Sequence, residues 1–419
     1  MKRYNLINNV LGWVVFLVAS IVYLLTAEPT ASWWDCGEYI ATADKLQVGH
    51  PPGAPTFQLI GSLFSNFAGS DVTKIAYTIN AMSAICSGFT ILFLFWSITM
   101  LAKKFVKKPE EMTTAQMIAV FGSGLVGSLA YAFSDTFWYS AVEGEVYAMS
   151  SCFTAIVFWA ILKWESQADD THNLRWLLLI AFLIGISIGV HLLNLLAIPA
   201  VTYVYYFKKF PHVEKNKKKK FLLVGVISMV LVAFILYFVV PYIVIFAGKF
   251  EIFFTNSLNA PFNTGTIVYF VLLIAAIAFG LYYSTKKNKP VLNASILSLL
   301  FILVGYTTFL VLVIRANANT PINENAPKDA TALLTYLNRE QYGDTPLFYG
   351  QYYNATPIEQ KDGSPKYIKD TVSKKYIEVR QGGKVVYDEK NTTIFPRMYS
   401  NDESRNHPVY YKMWSGIKE

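Results

Sequence analysis

The sequence predicts an all-α polytopic membrane protein of about nine transmembrane helices, followed by a small α+β extracytoplasmic region. Three observations predict it. The chain is 54% hydrophobic and 15% charged, against about a quarter charged in soluble domains. Uncharged runs such as "VLGWVVFLVASIVYLLTA" (Val10–Ala27) and "LFILVGYTTFLVLVI" (Leu300–Ile314) belong to stretches near the ~20 residues that cross ~30 Å of hydrocarbon. The lysines, finally, cluster in short loops between those runs. That placement assigns the net charge of +8 to membrane topology and not to nucleic-acid binding.

Taken in order, the spans run Asn9–Ala27, Ile75–Leu101, Ala115–Phe133, Val146–Leu162, Trp176–Val190, Leu192–Phe207, Phe221–Ala247, Thr266–Ser284 and Val291–Ile314. The first follows Lys2 and Arg3 but is too long for a signal-peptide core, so it reads as a retained helix. The basic loops "MKR", "KKFVKKPEE", "KKFPHVEKNKKKK" and "KKNK" then fall on one side, which should be cytoplasmic together with the N-terminus. The lysine run from Lys215 to Lys220 also attracts anionic lipid. Between the fifth and sixth spans, "LIGISIGVHLLNLLAIPA" leaves almost no loop. Merging the two would put the lysine run outside, so they are kept apart.

Nine spans put everything after Arg315 outside. Residues 1–314 thus form a transmembrane domain, and 315–419 an extracytoplasmic region. In the latter, "DATALLTYLNREQYGD" predicts a helix stopped by Gly343, and "KYIEVRQGGKVVYDE" predicts a β-hairpin around Gly382 and Gly383. The closing "YYKMWSGIKE" shows no terminating element, as expected of a truncated region. The sequons at Asn354 and Asn391 read as chance matches. Cys36, Cys86 and Cys152 form neither a disulfide framework nor a metal spacing.

The outer loops carry the chemistry. The first, residues 28–73, holds Glu28, Asp35, Glu38, Asp44 and Asp71 against Lys45; the second, within 134–145, holds Asp135, Glu143 and Glu145. The spans themselves contain no Asp, Glu, Lys or Arg, which weakens an ion-coupled transporter reading. In "WWDCGEY", Asp35 and Glu38 lie three apart, on one face of a helix, and Gly37 permits close approach of backbone or ligand. A catalytic pair and a solvated helix end fit that pattern equally. Trp33 and Trp34 suit either an interfacial anchor or a platform for a sugar ring.

"GHPPGAP" (Gly49–Pro55) fixes a rigid turn at the bilayer surface. The pattern alone favours a helix-breaking turn with an incidental His50, although histidine near neutrality can bind phosphate or orient a carboxylate. The following "TFQLIGSLFSNFAG" is too short to span and should lie in the interface. His191 emerges on the same side. Arg315 ends the last span, where a lone cation most often snorkels to headgroups.

Together these motifs resemble a known family. "WWDCGEYIATADKLQVGHPPGAPTFQLIGSLF" is similar to the first outer loop of bacterial multi-pass membrane proteins related to the eukaryotic transmembrane protein O-mannosyltransferases. "FWYSAVEGEVYAM" is similar to their second outer motif, and "NTPINENAPKDATALLTYLNREQYGD" to the segment beyond their last span. The resemblance implies a GT-C glycosyltransferase of the bacterial inner membrane. Such an enzyme takes a sugar, mannose by family, from a polyprenyl-phosphate carrier on the outer face. It implies Asp35 as catalytic base with Glu38 as its partner, and His50, Glu143 and Glu145 as site residues. Trp34, His191 and Arg315 join the expected substrate-binding set on pattern and topology.

The expected partners are the polyprenyl-phosphate sugar, a protein or glycan acceptor, and membrane lipid. No metal ligand set is assigned, though a divalent ion stays open as a charge partner for the leaving phosphate. The competing expectation is a transporter or lipid flippase, which would move substrate without forming a covalent product.

Overall fold

A backbone in hydrocarbon must satisfy its own polar groups, which favours helices. The computed structural model of the chain is accordingly mostly helical; it describes residues 2–106, 111–210, 216–342, 346, 348–353, 355–362, 365–380, 383–396 and 406–416. Helix α1 (Lys2–Thr26) is followed by two short helices, α2 (Cys36–Asp44) and α3 (Pro55–Ser65), and then by the long α4 (Ile75–Ala102). Next come α5 (Thr114–Ala132), the short α6 (Asp135–Ala141) and α7 (Val146–Ser166). Thr113 starts α5 through a capping box, its hydroxyl accepting from Gln116 N (3.3 Å) while the Gln116 side chain accepts from Thr113 N (3.1 Å).

The chain continues through α8 (Leu174–Ile188) and α9 (Ala197–Lys209). Helices α10 (Lys217–Phe234) and α11 (Val240–Ile252) then form one stretch with π-helical turns at Ile235–Val239 and Phe253–Ser257. It is followed by α12 (Thr264–Lys286), α13 (Pro290–Tyr306) and α14 (Leu310–Asn317). Among the described residues, 7 helical stretches are long and apolar enough to cross a membrane, and Leu174–Ile188 is a shorter apolar helix. The two short predicted spans therefore correspond to α8 and to a 3-10 turn (Leu192–Leu196) leading into α9. The chain does double back between them. Lys208, at the end of α9, pairs with Asp169, in front of α8, at 3.0 Å.

That contact helps define one end of the bundle. Lys104 pairs with Glu165, Lys103 lies over the Tyr4 ring and Lys209 over Trp164. Three of the four basic loops that the sequence put on one side, those near Tyr4, Lys103 and Lys208, thus meet at this end. Helix α13 runs alongside α8 in the same direction, with Gly185 against Ile302 and Gly305 against Ile186. Both glycines sit where a Cβ would collide with the other helix's backbone, and small residues let membrane helices approach this closely.

The seventh predicted span is longer than expected, since the helical stretch reaches Ser257. It carries Glu251, which is fully buried and accepts hydrogen bonds from Asn263 N (2.5 Å) and Thr266 N (3.0 Å) at the start of α12. A carboxylate at a helix N-terminus satisfies donors that otherwise lack partners.

Beyond α14 lie α15 (Ala330–Leu337), strands β1 (Tyr349–Gln351), β2 (Pro357–Asp362), β3 (Pro365–Asp370), β4 (Lys375–Arg380), β5 (Gly383–Tyr387) and β6 (Thr392–Ile394), and α16 (His407–Ser415). The predicted stop at Gly343 falls outside the described residues, as does Gly382. Strands form on both sides of Gly382, but they do not pair with each other as predicted: β4 pairs with β3 and β5 with β2, both antiparallel. The local turn decides the partner. Asp370 accepts from Val372 N and Ser373 N, both at 3.0 Å, closing the β3–β4 hairpin with an Asx-type turn.

Four packed clusters organise the helices, the smallest being Tyr4, Val120 and Phe121 between α1 and α5. One lies among α7, α8, α9, α13, α14 and α15, and a second among α1, α4, α5 and α6. A third, with Ile40, Phe57, Ile79, Met82, Val146 and Met149 buried, joins α2 and α3 to α4 and α7. This third cluster is the floor of the site described next.

Candidate active site at the acidic end of the bundle

The two acidic loops meet at the end opposite the lysines. Glu28 N donates to Val142 O (2.9 Å), and the buried Asn80 of α4 donates to Glu28 O (2.5 Å) and Thr30 O (2.9 Å). Ser32 Oγ donates to Glu143 Oε2 at 2.7 Å. Loops more than a hundred residues apart are thereby fastened together.

Within the first loop, Asp35 is the N-cap of α2 and Glu38 lies in its first turn, so the spacing of three does bring both acids to one place. They face His50. Glu38 accepts from His50 N through Oε1 (2.6 Å) and from His50 Nδ1 through Oε2 (3.0 Å). On the other side of the ring, Nε2 stands 3.8 Å from Asp35 Oδ2. That gap is too long for a hydrogen bond. Among the described residues the Asp35 side chain accepts no hydrogen bond, and it does not cap its own helix.

The turn that carries His50 depends on two glycines. A Cβ on Gly49 would come within 2.6 Å of Glu38 Oε1, and Gly53 has φ +71°, a conformation that favours glycine. The Pro51–Pro52 bond between them is cis. Close approach, which the sequence located at Gly37, is thus required at Gly49; the nearest atom to a Cβ at Gly37 is Ala31 Cβ at 3.8 Å.

The hydrogen bond between them shifts both groups. It holds the Glu38 carboxyl below its ordinary 4.5 and the His50 imidazole above its ordinary 6.5, against the opposing effect of burial. His50 is therefore charged over more of the neutral range than a free histidine.

Glu145 behaves in the opposite way. It is 5% exposed, and burial first, then the charges of Asp35 and Glu143, push its carboxyl up to about 7 against the bond from Val146 N. Glu324, from the segment after α14, also feels Glu38 and His50, and burial raises its carboxyl. Four carboxyls, those of Asp35, Glu38, Glu145 and Glu324, thus act on one imidazole, with Glu143 acting on Glu145. Titratable groups driven apart in this way are a mark of functional sites.

The other expected residues divide. Trp34 directly precedes Asp35, is 91% exposed like Trp33, and has φ +69°, a strained conformation for a bulky residue. His191 caps the turn at Leu192–Leu196, its Nδ1 accepting from Leu193 N (3.2 Å), with its ring against Tyr147. Burial, then the charge of Arg339, lowers its imidazole. It is therefore less suited to offset a phosphate than His50. Arg315 donates through Nε to Leu46 O (2.6 Å) and through a terminal nitrogen to Lys45 O (3.0 Å), and so clamps the first loop.

Sequence reading missed Tyr336, Glu324, Arg339, Asn80 and Ser32. Glu324, Tyr336 and Arg339 lie inside the segment singled out beyond the last span, and Ser32 beside the first-loop motif, but no feature of those motifs pointed to these side chains; nothing in the sequence marks Asn80.

Asp35, Glu38 and His50 offer donor atoms within 4.8 Å of one another, which tests the fit of a cation. Both Glu38 oxygens already accept from His50, so Glu38 fits better as the carboxylate that orients a ligating histidine. Asp35 and His50 Nε2 are the atoms that would hold an ion. A cavity of about 690 Å³ lies at the opposite end, lined by Tyr203, Phe207, Phe221 and the Asp169–Lys208 pair. The charged residues lining that cavity are engaged in the Lys104–Glu165 and Lys208–Asp169 pairs, whereas the titratable cluster brings several acids and an imidazole together.

Fold and site define a multi-helix membrane protein with an acid–imidazole cluster at one end. Residues 35–214 match the family Protein O-mannosyl-transferase TMEM260 N-terminal domain, and residues 343–419 match a family of unknown function (DUF8416). The chain is 26% identical over 163 residues to Protein O-mannosyl-transferase tmem260 of Dictyostelium discoideum, covering 39% of this chain and 18% of that one. It is 22% identical over 174 residues to Protein O-mannosyl-transferase TMEM260 of Mus musculus, covering 42% and 22%. The matched stretch spans about a fifth of the length of these curated relatives. No solved structure matches. The chain is thus related to the TMEM260 protein O-mannosyltransferases over a stretch that begins at Asp35 and includes Glu38, His50, Glu143, Glu145 and His191.

Proposed function

We propose that this protein is a GT-C-type glycosyltransferase that moves a sugar, mannose by relation to the O-mannosyltransferases, from a polyprenyl-phosphate carrier to a Ser or Thr hydroxyl. The observation that carries the reading is the Asp35 carboxylate. It is 42% exposed at its side chain, has no hydrogen-bond donor among the described residues, and faces an imidazole that Glu38 orients from behind. A base needs a free carboxylate held in place, and this arrangement supplies one.

In this reaction Asp35 removes the proton from the acceptor hydroxyl as its oxygen attacks the anomeric carbon. The bond from that carbon to the phosphate oxygen breaks, and the polyprenyl phosphate leaves with the electron pair. A single displacement inverts the anomeric configuration. The charge on the leaving phosphate is met by protonated His50 and by the exposed Arg339 near His191. A divalent cation on Asp35 and His50 would supply the same positive charge. Glu145, largely protonated below about 7, spares the phosphate a further negative neighbour. Trp34 offers a face for the sugar.

In the membrane, α8 and α9 complete nine crossings, with the N-terminus and lysine loops cytoplasmic and the acidic end extracytoplasmic. Residues 1–314 are the membrane domain, with catalytic loops at 28–73 and 134–145, and 315–419 the extracytoplasmic region. The membrane is the bacterial cytoplasmic membrane. Asp35→Asn tests the reading: it should leave the fold intact and lower transfer about 1,000-fold. Unchanged turnover would remove Asp35 as the base.

A further inference from the structure

The turn that presents His50 is held from the far end of the sequence. Val48 bridges Asn323, with Val48 N donating to Ile322 O (3.1 Å) and Glu324 N to Val48 O (3.0 Å). Gln47 Oε1 accepts from Ile322 N at 2.8 Å, and Arg315 clamps Leu46 and Lys45. The innermost contact is Tyr336 of α15. It is fully buried, and its hydroxyl donates to Gly49 O at 2.6 Å, with His50 O at 3.2 Å.

We infer that Tyr336 is a positioning residue: its hydroxyl fixes the Gly49–His50 backbone, and so sets the place of the imidazole between Glu38 and Asp35. The inference rests on the reading of the site given above.

Packing alone does not explain a tyrosine here. Tyr336 and Leu333 lie in the cluster with Val244, Phe309 and Leu312, where a phenylalanine would fill the same space. A buried hydroxyl without a partner is costly, and this one finds its partner in the turn. The fit is close: a Cβ on Gly53 would come within 2.7 Å of the Tyr336 oxygen. Nor is α15 free to shift. Asp329 caps it, accepting from Thr331 N and Ala332 N at 3.0 Å each. Removing the hydroxyl leaves the Gly49 carbonyl without its donor and loosens the residue that also holds Glu38.

The test compares Tyr336→Phe with the wild-type full chain in detergent micelles by two measurements. Hydrogen exchange followed by mass spectrometry reads the amides of residues 46–50 and Gly53. Steady-state transfer reads kcat and the donor KM. The matched control is Tyr306→Phe, which removes another buried hydroxyl, bonded to Val240 O at 3.4 Å, away from the site. The expected result for Tyr336→Phe is ~10-fold faster exchange confined to that turn, with kcat reduced ~10-fold and KM unchanged. Tyr306→Phe should show neither change. Wild-type exchange in the turn, or faster exchange with unaltered kcat, overturns the inference. Should the wild type transfer no sugar, the proposed function falls, and exchange in the turn still decides whether Tyr336 holds it.

Discussion

The two ends of the helix bundle handle charge in opposite ways. At the basic end each pair is simple: Lys104 meets Glu165, and Lys208 meets Asp169, whose side chain is 89% exposed. At the acidic end, Asp35, Glu38, Glu145 and Glu324 crowd one imidazole, with Glu143 acting on Glu145. Like charges packed together oppose folding, whereas exposed pairs contribute little either way. The basic end therefore reads as topology. The acidic end holds an arrangement that stability alone does not favour, as sites with a chemical task do.

Several changes would break or sharpen this contrast. After Asp35→Asn, the largest effect is expected from His50→Gln, which removes the cation beside Asp35 and should lower kcat about 100-fold in a transfer assay. Next is Glu145→Gln. Ionisation of Glu145 as pH rises through about 7 adds a negative charge beside Asp35, so wild-type kcat should fall across that range, and the variant should keep only the fall that deprotonation of His50 imposes. The folded pKa of Glu145 lies above the ordinary 4.5, so the folded state holds more protons than the unfolded one between 4.5 and about 7. Stability contributed by this group thus declines as pH rises through that window. Melting temperatures of wild type and variant across pH would show the difference.

Glu38→Gln is expected to cost about 2 kcal/mol near neutrality, read by denaturation. The sign differs at each edge. The Glu38 contribution is present above 4.5 and lost as pH falls through its lowered folded value. The His50 contribution is present below 6.5 and lost as pH rises through its raised folded value. The smallest effect belongs to the basic end: Lys208→Ala should change stability by less than about 1 kcal/mol and leave transfer unaltered. A large loss of transfer there would undo the contrast.

Much of the fold was legible because charge placement and apolar length act locally. Three of the four lysine loops meet as expected, and the near-loopless join at His191 does turn back. Asp35 and Glu38 were legible as a pair because helical spacing fixed them. His50 was harder: on pattern it was incidental to a Pro-Gly turn, and only the absence of a Cβ at Gly49 brings it onto Glu38. Arg315 was expected at a phosphate or among headgroups, yet it holds two carbonyls of the first loop. Tyr336 and Glu324 lay in a segment whose helix and family likeness were legible, but their contact with the site could not be read, since it is made across nearly three hundred residues and helical spacing does not fix such a partner. In the tail, alternation marked β4 and β5, but strand alternation does not choose partners, and Asp370 settled the hairpin one turn earlier.

The most direct measurement is the product itself. Purified protein is incubated with polyprenyl-phosphate mannose and a Ser/Thr acceptor peptide, and the peptide is weighed by mass spectrometry. The account predicts a covalent hexose on the peptide, formed by wild type and lost in Asp35→Asn. An unmodified peptide, with the lipid-linked sugar merely carried across vesicle membranes, would contradict it.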